Sequence, residues 1–271
     1  MTGYCYHQFI EAEAITVSAG SIAANRGYGA FDFFGVRHRQ AFYLHRHLER
    51  FFTTMSLMRL KIEYSPEQLQ ALVHEIIQRC QEDDFYIKLF AYPIDTFSGS
   101  EIPAELFIIP LVLPIDTRFT YNTGIMLISK EYQRFLPEAK STNYLPLVYW
   151  QHEIDLAGAA DVLYYNAGIV SETSRGNVFL VKNGKVFTPA RNMLKGITRS
   201  IILDLLQEKG EPCIERDIAF DELFTADEVF LSGTTKKVLP VTCIDHRIIH
   251  KGQIGPTSQW LMSEFESLLG S

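Results

Sequence analysis

The segment AELFIIPLVLP, Ala104 to Pro114, is the strongest constraint on what this chain can fold into, with Glu105 its only charged residue. A run of this kind has no polar face to give to water, so it reads as a strand covered on both sides, central in a sheet. DFYIKLFAYP, ending at Pro93, is its predicted strand partner. Pro114 has no N–H to offer a neighbour, so the strand stops there and IPLVLPIDTRF leads into a linker.

Other segments fill in around this pair. YCYHQF (Tyr4–Phe9) and FDFFGV (Phe31–Val36) are aromatic and β-branched and read as strands. Leu48, Phe51, Phe52 and Met55 recur at helical spacing. A clear helix follows in SPEQLQALVHEIIQRC: Ser65 caps it, Pro66 suits its first turn and Gln68 completes a capping box. Its apolar stripe is Leu69, Leu72, Val73, Ile76, Ile77 and Cys80. The second half restarts with strand GIMLISK and a helix from Leu145 to Leu156, then DVLYYNAG, IVSETS and a hairpin turning at Asn183-Gly184. Helix GITRSIILDLLQE, a strand EVFLSGTTKKVLPV interrupted at Gly233, and a helix from Thr257 to Leu269 complete the chain. Strands and helices do not alternate one for one, which favours two α+β domains over a doubly wound sheet. The expected division is 1–114, a linker 115–120 and 121–271.

Composition narrows the function. The 271 residues are 47% hydrophobic and 21% charged, enough for sizeable cores. A net charge of −7 argues against a nucleic-acid partner. Cys5, Cys80, Cys213 and Cys243 form no CxxC pair, so no zinc or other metal site is expected and the thiols read as reduced. There is no signal-like N-terminus and no apolar run approaching the ~20 residues that span a bilayer. The expectation is a soluble, cytoplasmic protein with no membrane partner. A P-loop and a GxSxG elbow are both absent, and His152-Glu153 lacks the second half of a deaminase zinc motif; these two residues read as the exposed face of a helix.

Four features remain. Lys140, in EAKSTNYL, is followed by small polar residues, and a desolvated lysine offers a free amine for an imine. Glu172, in IVSETSRGNVFLV, is a carboxylate between apolar strand segments, which needs a partner such as a cationic ring nitrogen. In KGITR, Gly196 opens a helix whose first N–H groups, at Ile197 and Thr198, suit a phosphate. SGTT, Ser232 to Thr235, places glycine and hydroxyls at a strand end, also suited to an anion. Each has a plain structural reading: a loop lysine, a strand-end glutamate, a capped helix, a bulge. Together they supply the parts that pyridoxal 5′-phosphate requires.

With these motifs in this order, the chain resembles the class IV aminotransferase family, the fold-type IV pyridoxal-phosphate enzymes, over nearly its whole length. NRGYG (Asn25–Gly29) and HLERF (His47–Phe51) are similar to its opening motifs, KSTN to its Lys-x-x-Asn, SETSRGNVF to its Glu-x-x-x-x-Asn, and GITR and SGTTKKVLPV to its phosphate motifs. The resemblance implies a small N-terminal α/β domain and a larger domain with a β-barrel-like sheet. It implies Lys140 as the Schiff-base lysine, Glu172 as partner of the pyridine nitrogen, and Arg50, Gly196, Ile197, Thr198, Gly233 and Thr234 around the phosphate, with Thr235 near the substrate carboxylate. It further implies a homodimer, with the active site between domains and completed by a second subunit. Two departures stand out: Ala30-Phe31-Asp32-Phe33-Phe34-Gly35 replaces the family's Gly-Asp-Gly-x-Phe/Tyr-Glu, so the usual glutamate of that strand is gone, and Ala91 stands where D-amino-acid aminotransferases carry a carboxylate-binding arginine. Tyr28, Phe33, Tyr92 and Tyr144 are candidates for an apolar substrate pocket.

The expected activity is transfer of an amino group from a small amino substrate, with Lys140 as base at the α-carbon. The same residues would serve a 4-amino-4-deoxychorismate lyase that eliminates pyruvate, and a non-catalytic pyridoxal-phosphate binder is a further alternative.

Overall fold

The computed structural model describes residues 1–94 and 99–270, so the loop from Phe97 to Glu101, a candidate cover for a site, lies partly outside them. The chain divides into two compact units, Met1–Pro114 with Ala139–Asn143, and Ile115–Glu138 with Tyr144–Ser271. The linear division at 114 leaves the lysine segment with the second domain, whereas residues 139–143 pack with the first. They do so because they hydrogen bond to its backbone.

The first unit runs β1 (Thr2–Cys5), β2 (Gln8–Glu11), α1 (Ile22–Arg26), β3 (Ala30–Arg37), β4 (Gln40–Ala41), α2 (Leu44–Leu57), β5 (Leu60–Lys61), α3 (Pro66–Arg79), β6 (Phe85–Pro93) and β7 (Ile102–Leu111). Its sheet has the order β2-β1-β7-β6-β3-β4, with β5 also on β7. The apolar run thus takes an interior position, antiparallel to β6 with Leu89 opposite Ile108. Tyr4–Phe9, expected as one strand, is a hairpin. Tyr6 and His7 adopt φ of 49° and 59°, so the chain reverses and Cys5 pairs with Gln8. Neither turn residue is the Gly or Asn that usually marks such a reversal. The α3 capping box is formed, with Ser65 and Gln68 each bonding the other's backbone N–H. Helix α2 lies against β3 and α3, burying Leu48, Phe51 and Met55; Phe52 and Leu72 are only partly covered.

Strand β6 alternates strictly: Ile87, Leu89 and Ala91 are buried, while Tyr86, Lys88, Phe90 and Tyr92 take the other face and are half-buried. That second face carries an aromatic layer. Phe31 stacks on Phe90 at 6.0 Å, Phe33 on Tyr86 at 5.0 Å, and Phe90 on Tyr92 at 5.2 Å between centroids.

The second unit runs β8 (Ile125–Glu131), α4 (Leu145–Leu156), β9 (Asp161–Asn166), β10 (Ile169–Thr173), β11 (Asn177–Lys182), β12 (Lys185–Thr188), α5 (Ile197–Glu208), β13 (Ile214–Glu215), β14 (Ile218–Ala219), β15 (Glu228–Gly233), β16 (Lys237–Ile244), β17 (Arg247–Ile248) and α6 (Pro256–Gly270). Its ten-stranded sheet, β13-β12-β11-β15-β16-β8-β9-β10-β14 with β17 on β16, curls into a half-barrel. Leu127, Leu163, Val178, Leu180, Leu231 and Leu239 are among the residues that fill its core. Asn183 and Gly184 form the expected turn, both at positive φ. The SGTT segment is a hairpin end: Gly233 pairs with Lys237, leaving Thr234–Lys236 as the turn. Among the described residues no helix is long and apolar enough to cross a membrane.

Candidate active site

Lys140 is fixed through its backbone. Its N–H donates to Thr54 Oγ1 at 3.1 Å, its carbonyl accepts the Phe31 N–H at 3.0 Å, and Ser141 bridges to Ala30. The segment therefore continues the edge of β3, and Lys140 Nζ stands 4.4 Å from the centroid of the Phe31 ring. A cationic amine over an aromatic face is attracted to the ring, which holds the half-buried Lys140 side chain against β3.

Behind it, the inward face of β3 carries Asp32 as well as Phe34. Asp32 is fully buried and accepts from Arg50 Nε and Nη2, both at 2.8 Å, and contacts His47 Nδ1 at 2.7 Å. Burial alone would raise the Asp32 carboxyl; Arg50, then His47, outweigh it and hold it far below the usual carboxylate range. Burial pushes the His47 imidazole down from its ordinary value despite the pull of Asp32. So the strand that lacks the family's glutamate still carries a carboxylate, Asp32, on its inward face, and that carboxylate orients Arg50. Arg50 Nη1 has no bonding partner among the described residues.

The remaining expected residues of this unit have mixed placements. Tyr28 donates its hydroxyl to the Met58 carbonyl at 2.5 Å. Phe33 and Tyr92 belong to the aromatic layer, and burial pushes the Tyr92 hydroxyl up to about 12. Tyr92 needs Gly29: a Cβ there would lie 2.5 Å from the Tyr92 ring. Ala91 points to the opposite, buried face, so the cation this strand presents to the aromatic layer is Lys88, whose Nζ is 5.9 Å from the Phe33 centroid. Burial lowers the Lys88 pKa.

In the second unit Glu172 is buried. Its Oε1 accepts from Arg134 Nε at 2.7 Å and its Oε2 from the Leu194 N–H at 3.1 Å. Arg134 is itself held by the Pro137 carbonyl. Asn177 donates to the Leu194 carbonyl at 2.7 Å, so Glu172 and Asn177 grip the same residue from its two sides. This explains their spacing: both fix the turn that leads into α5. Gly196 caps that helix without any side-chain bond, and a Cβ on it would stand 2.2 Å from Asn177 Oδ1. Ile197 and Thr198 follow, both buried, at a helix start with unfilled donors. Beside it Ser232 Oγ is buried with no hydrogen-bond partner among the described residues.

Tyr144 precedes α4. Burial pushes its hydroxyl up to about 12, in a field shared by Arg134, Glu172 and Arg175. Thr234 and Thr235 form the β15–β16 turn with Gly233, and Tyr121 donates to the Lys236 carbonyl there at 3.2 Å. Lys236 is wholly buried and pairs with Asp161 at 2.9 Å. Asp161 also accepts from Ser174 and from the Val162 N–H. Burial would raise the Asp161 carboxyl, but Lys236, then Arg175, hold it below the usual range.

The first unit thus gathers Lys140, Arg50 and the aromatic layer; the second gathers Glu172, the α5 start and the SGTT turn. An uncapped helix start, a buried hydroxyl without a partner and a buried carboxylate fit a phosphate and a cationic ring, the two ends of pyridoxal 5′-phosphate. Sequence reading missed Asp32, Lys88, Arg134, Asp161 and Lys236. Asp32 alone left a signal, a charge within an aromatic strand.

The family described as amino-transferase class IV matches residues 29–244. A protein of Aquifex aeolicus named "Probable branched-chain-amino-acid aminotransferase" is 30% identical over 93% of this chain and 89% of its own. A D-alanine aminotransferase of Listeria monocytogenes is 25% identical over 96% and 93%. Among solved structures, the branched-chain aminotransferase of Thermoproteus uzoniensis with norvaline superposes with a TM-score of 0.90 at 26% identity, covering 100% of this chain and 95% of that one.

Proposed function

This chain belongs to the class IV aminotransferase family, and on that premise we propose the residues that make it one. It is a pyridoxal-phosphate-dependent aminotransferase of fold type IV acting on an amino acid. Lys140 would carry the cofactor, Glu172 would face its ring nitrogen, and Arg50, the α5 start at Gly196–Thr198 and the turn at Gly233–Thr234 would take its phosphate. The observation that carries this reading is the buried Glu172 carboxylate, clamped by Arg134 and the Leu194 N–H in the turn that opens α5.

When bound, pyridoxal 5′-phosphate supplies an aldehyde that takes up the amino group and a ring that accepts an electron pair. The chain does the rest. Lys140 Nζ, once free, takes the proton from the substrate α-carbon and returns it when the acceptor is aminated. Glu172 keeps a proton on the ring nitrogen, while Arg134 and Leu194 keep Glu172 in place. Asp32 holds Arg50 with its Nη1 left for a phosphate oxygen.

The aromatic layer of Phe31, Phe33, Phe90 and Tyr92 supports an amino acid with an apolar side chain, and Tyr28 and Tyr144 are further proposed substrate-lining residues. Lys88 adds one cation to that layer, suited to the distal carboxylate of a dicarboxylic acceptor. Initial rates with L-leucine, L-valine, D-alanine and L-lysine test the apolar preference; fastest turnover of L-lysine would sink it.

A homodimer is supported by α4, which leaves Leu145, Val148, Tyr149 and Leu156 each about 70% exposed or more. A cytoplasmic location is supported by the four cysteines, all of them free.

The site assignment is tested by absorbance of the purified protein with pyridoxal 5′-phosphate, then borohydride and peptide mapping. A near-visible band fixed onto the peptide containing Lys140 is expected. Label on another lysine would reject the assignment.

A further inference from the structure

We propose that the buried Lys236–Asp161 ion pair sets the shape of the turn at Gly233–Thr235, so that both are positioning residues for the cofactor phosphate. The inference rests on the reading of that turn as a phosphate site.

Neither residue takes part in the chemistry, yet both are withdrawn from water: Lys236 is 1% exposed and Asp161 0%. Desolvating two charges is costly, and an apolar pair of similar volume commonly serves stability as well or better. What an ion pair has and an apolar contact lacks is direction and register.

The contacts of this pair form a closed ring. Asp161 opens β9, and its Oδ1 accepts from the Val162 N–H at 2.7 Å and from the Ser174 hydroxyl, in the loop that joins β10 to β11. Its Oδ2 is 2.9 Å from Lys236 Nζ and has no other partner among the described residues. Lys236 ends the β15–β16 turn, and its Nζ also donates to the Arg175 carbonyl at 3.4 Å. One carboxylate thus holds two loops, 174–176 through Ser174 and 233–236 through Lys236. The loops also touch. A Cβ on Gly176 would lie 2.6 Å from the Ser232 carbonyl oxygen, and one on Gly233 would lie 3.0 Å from the Arg175 carbonyl oxygen. Contact this close leaves no slack, so a shift of one loop moves the other.

Both loops bear on the site. The first separates Glu172 from Asn177, and the second carries Gly233 and Thr234. Ser232, at the base of the turn and opposite Asn177 across the β11–β15 pairing, is buried with its hydroxyl unpartnered. Tyr121 holds the turn from the backbone side, donating to the Lys236 carbonyl at 3.2 Å. An oxyanion is met by several donors at once only where their relative positions are fixed beforehand. Lys236 and Asp161 supply that fixing.

The test titrates the full-length chain, freed of cofactor, with pyridoxal 5′-phosphate and with pyridoxal, and reads the ratio of the two affinities beside thermal melts. Both probes bring the same ring and aldehyde, so the ratio isolates the phosphate. The variant combines Lys236→Met with Asp161→Asn, removing both charges together while leaving an oxygen for Ser174 and the Val162 N–H. Its melting temperature is expected to stay close to that of the wild type, while the ratio falls at least ~10-fold. An unchanged ratio overturns the inference. If the double variant melts far below the wild type, Ser174→Ala decides, because it unlinks Asp161 from the first loop without leaving a charge unpaired. It is expected to lower the ratio ~3-fold at an unchanged melting temperature, and an unchanged ratio there overturns the inference too. A wild type that binds both probes equally sinks the phosphate reading itself, and the inference with it.

Discussion

Asp32 shows how one residue reorganises a site. It is buried with two cationic or protonatable partners, so its carboxyl titrates well below the ordinary value. Its folded-state pKa is depressed, so the stability it contributes is complete above the unfolded carboxyl value of about 4 and is lost as pH falls below that. His47 adds to the same limb: its depressed folded pKa means the unfolded chain takes a proton below about 6.5 while the folded one resists. Thermal melts should therefore drop gently from about pH 6.5 and steeply below about 4, and Asp32→Asn should flatten the steep limb while lowering stability near neutrality. Arg50→Ala should weaken pyridoxal-phosphate binding ~10- to 100-fold, the equivalent of a charge-assisted contact of about 1.5–3 kcal/mol, read by fluorescence titration. Lys140→Ala should abolish the borohydride-fixed label while retaining some cofactor affinity. Lys140 and Glu172 were legible in the sequence because their motifs are local. Asp32, Arg134 and Lys236 were not, because their partners lie 18, 38 and 75 positions away and only folding introduces them.

At the scale of elements, helix boundaries followed from chemistry that acts within one turn. Ser65 and Gln68 close α3, and Ser65→Ala should cost about 1 kcal/mol in denaturant unfolding, since one N–H loses its acceptor. The α5 start is less forgiving. Gly196→Ala places a Cβ 2.2 Å from Asn177 Oδ1, so either the helix shifts or Asn177 releases Leu194, and with it Glu172. Cofactor affinity should fall together with turnover, and a variant with unchanged binding of pyridoxal 5′-phosphate would mean that the turn tolerates the displacement. The β1–β2 hairpin escaped the sequence reading for an instructive reason: Tyr6 and His7 accept positive φ because pairing on both sides holds them there.

For the whole molecule, the contacts separate the candidate residues: the lysine segment 139–143 belongs with the first unit, and Glu172, the α5 start and the Gly233–Thr234 turn with the second. Helix α4 bears on assembly. Val148 and Tyr149 are exposed on an apolar surface that water does not favour. The double substitution Val148→Glu, Tyr149→Glu should convert a dimer to a monomer in sedimentation velocity, and a wild type already monomeric would remove the proposal.

The sequence by itself determined the elements whose cause is short-range: the buried run of β7, the capped α3, the Asn183-Gly184 turn, and the spacing that marks Lys140 and Glu172. It determined the family for the same reason, since those motifs are contiguous. Tertiary structure alone decided which charges meet. It placed Asp32 behind Arg50 and turned Ala91 inward and Lys88 outward. Such outcomes depend on strand register and on burial, where a one-residue shift reverses the face a side chain takes; no local pattern encodes them.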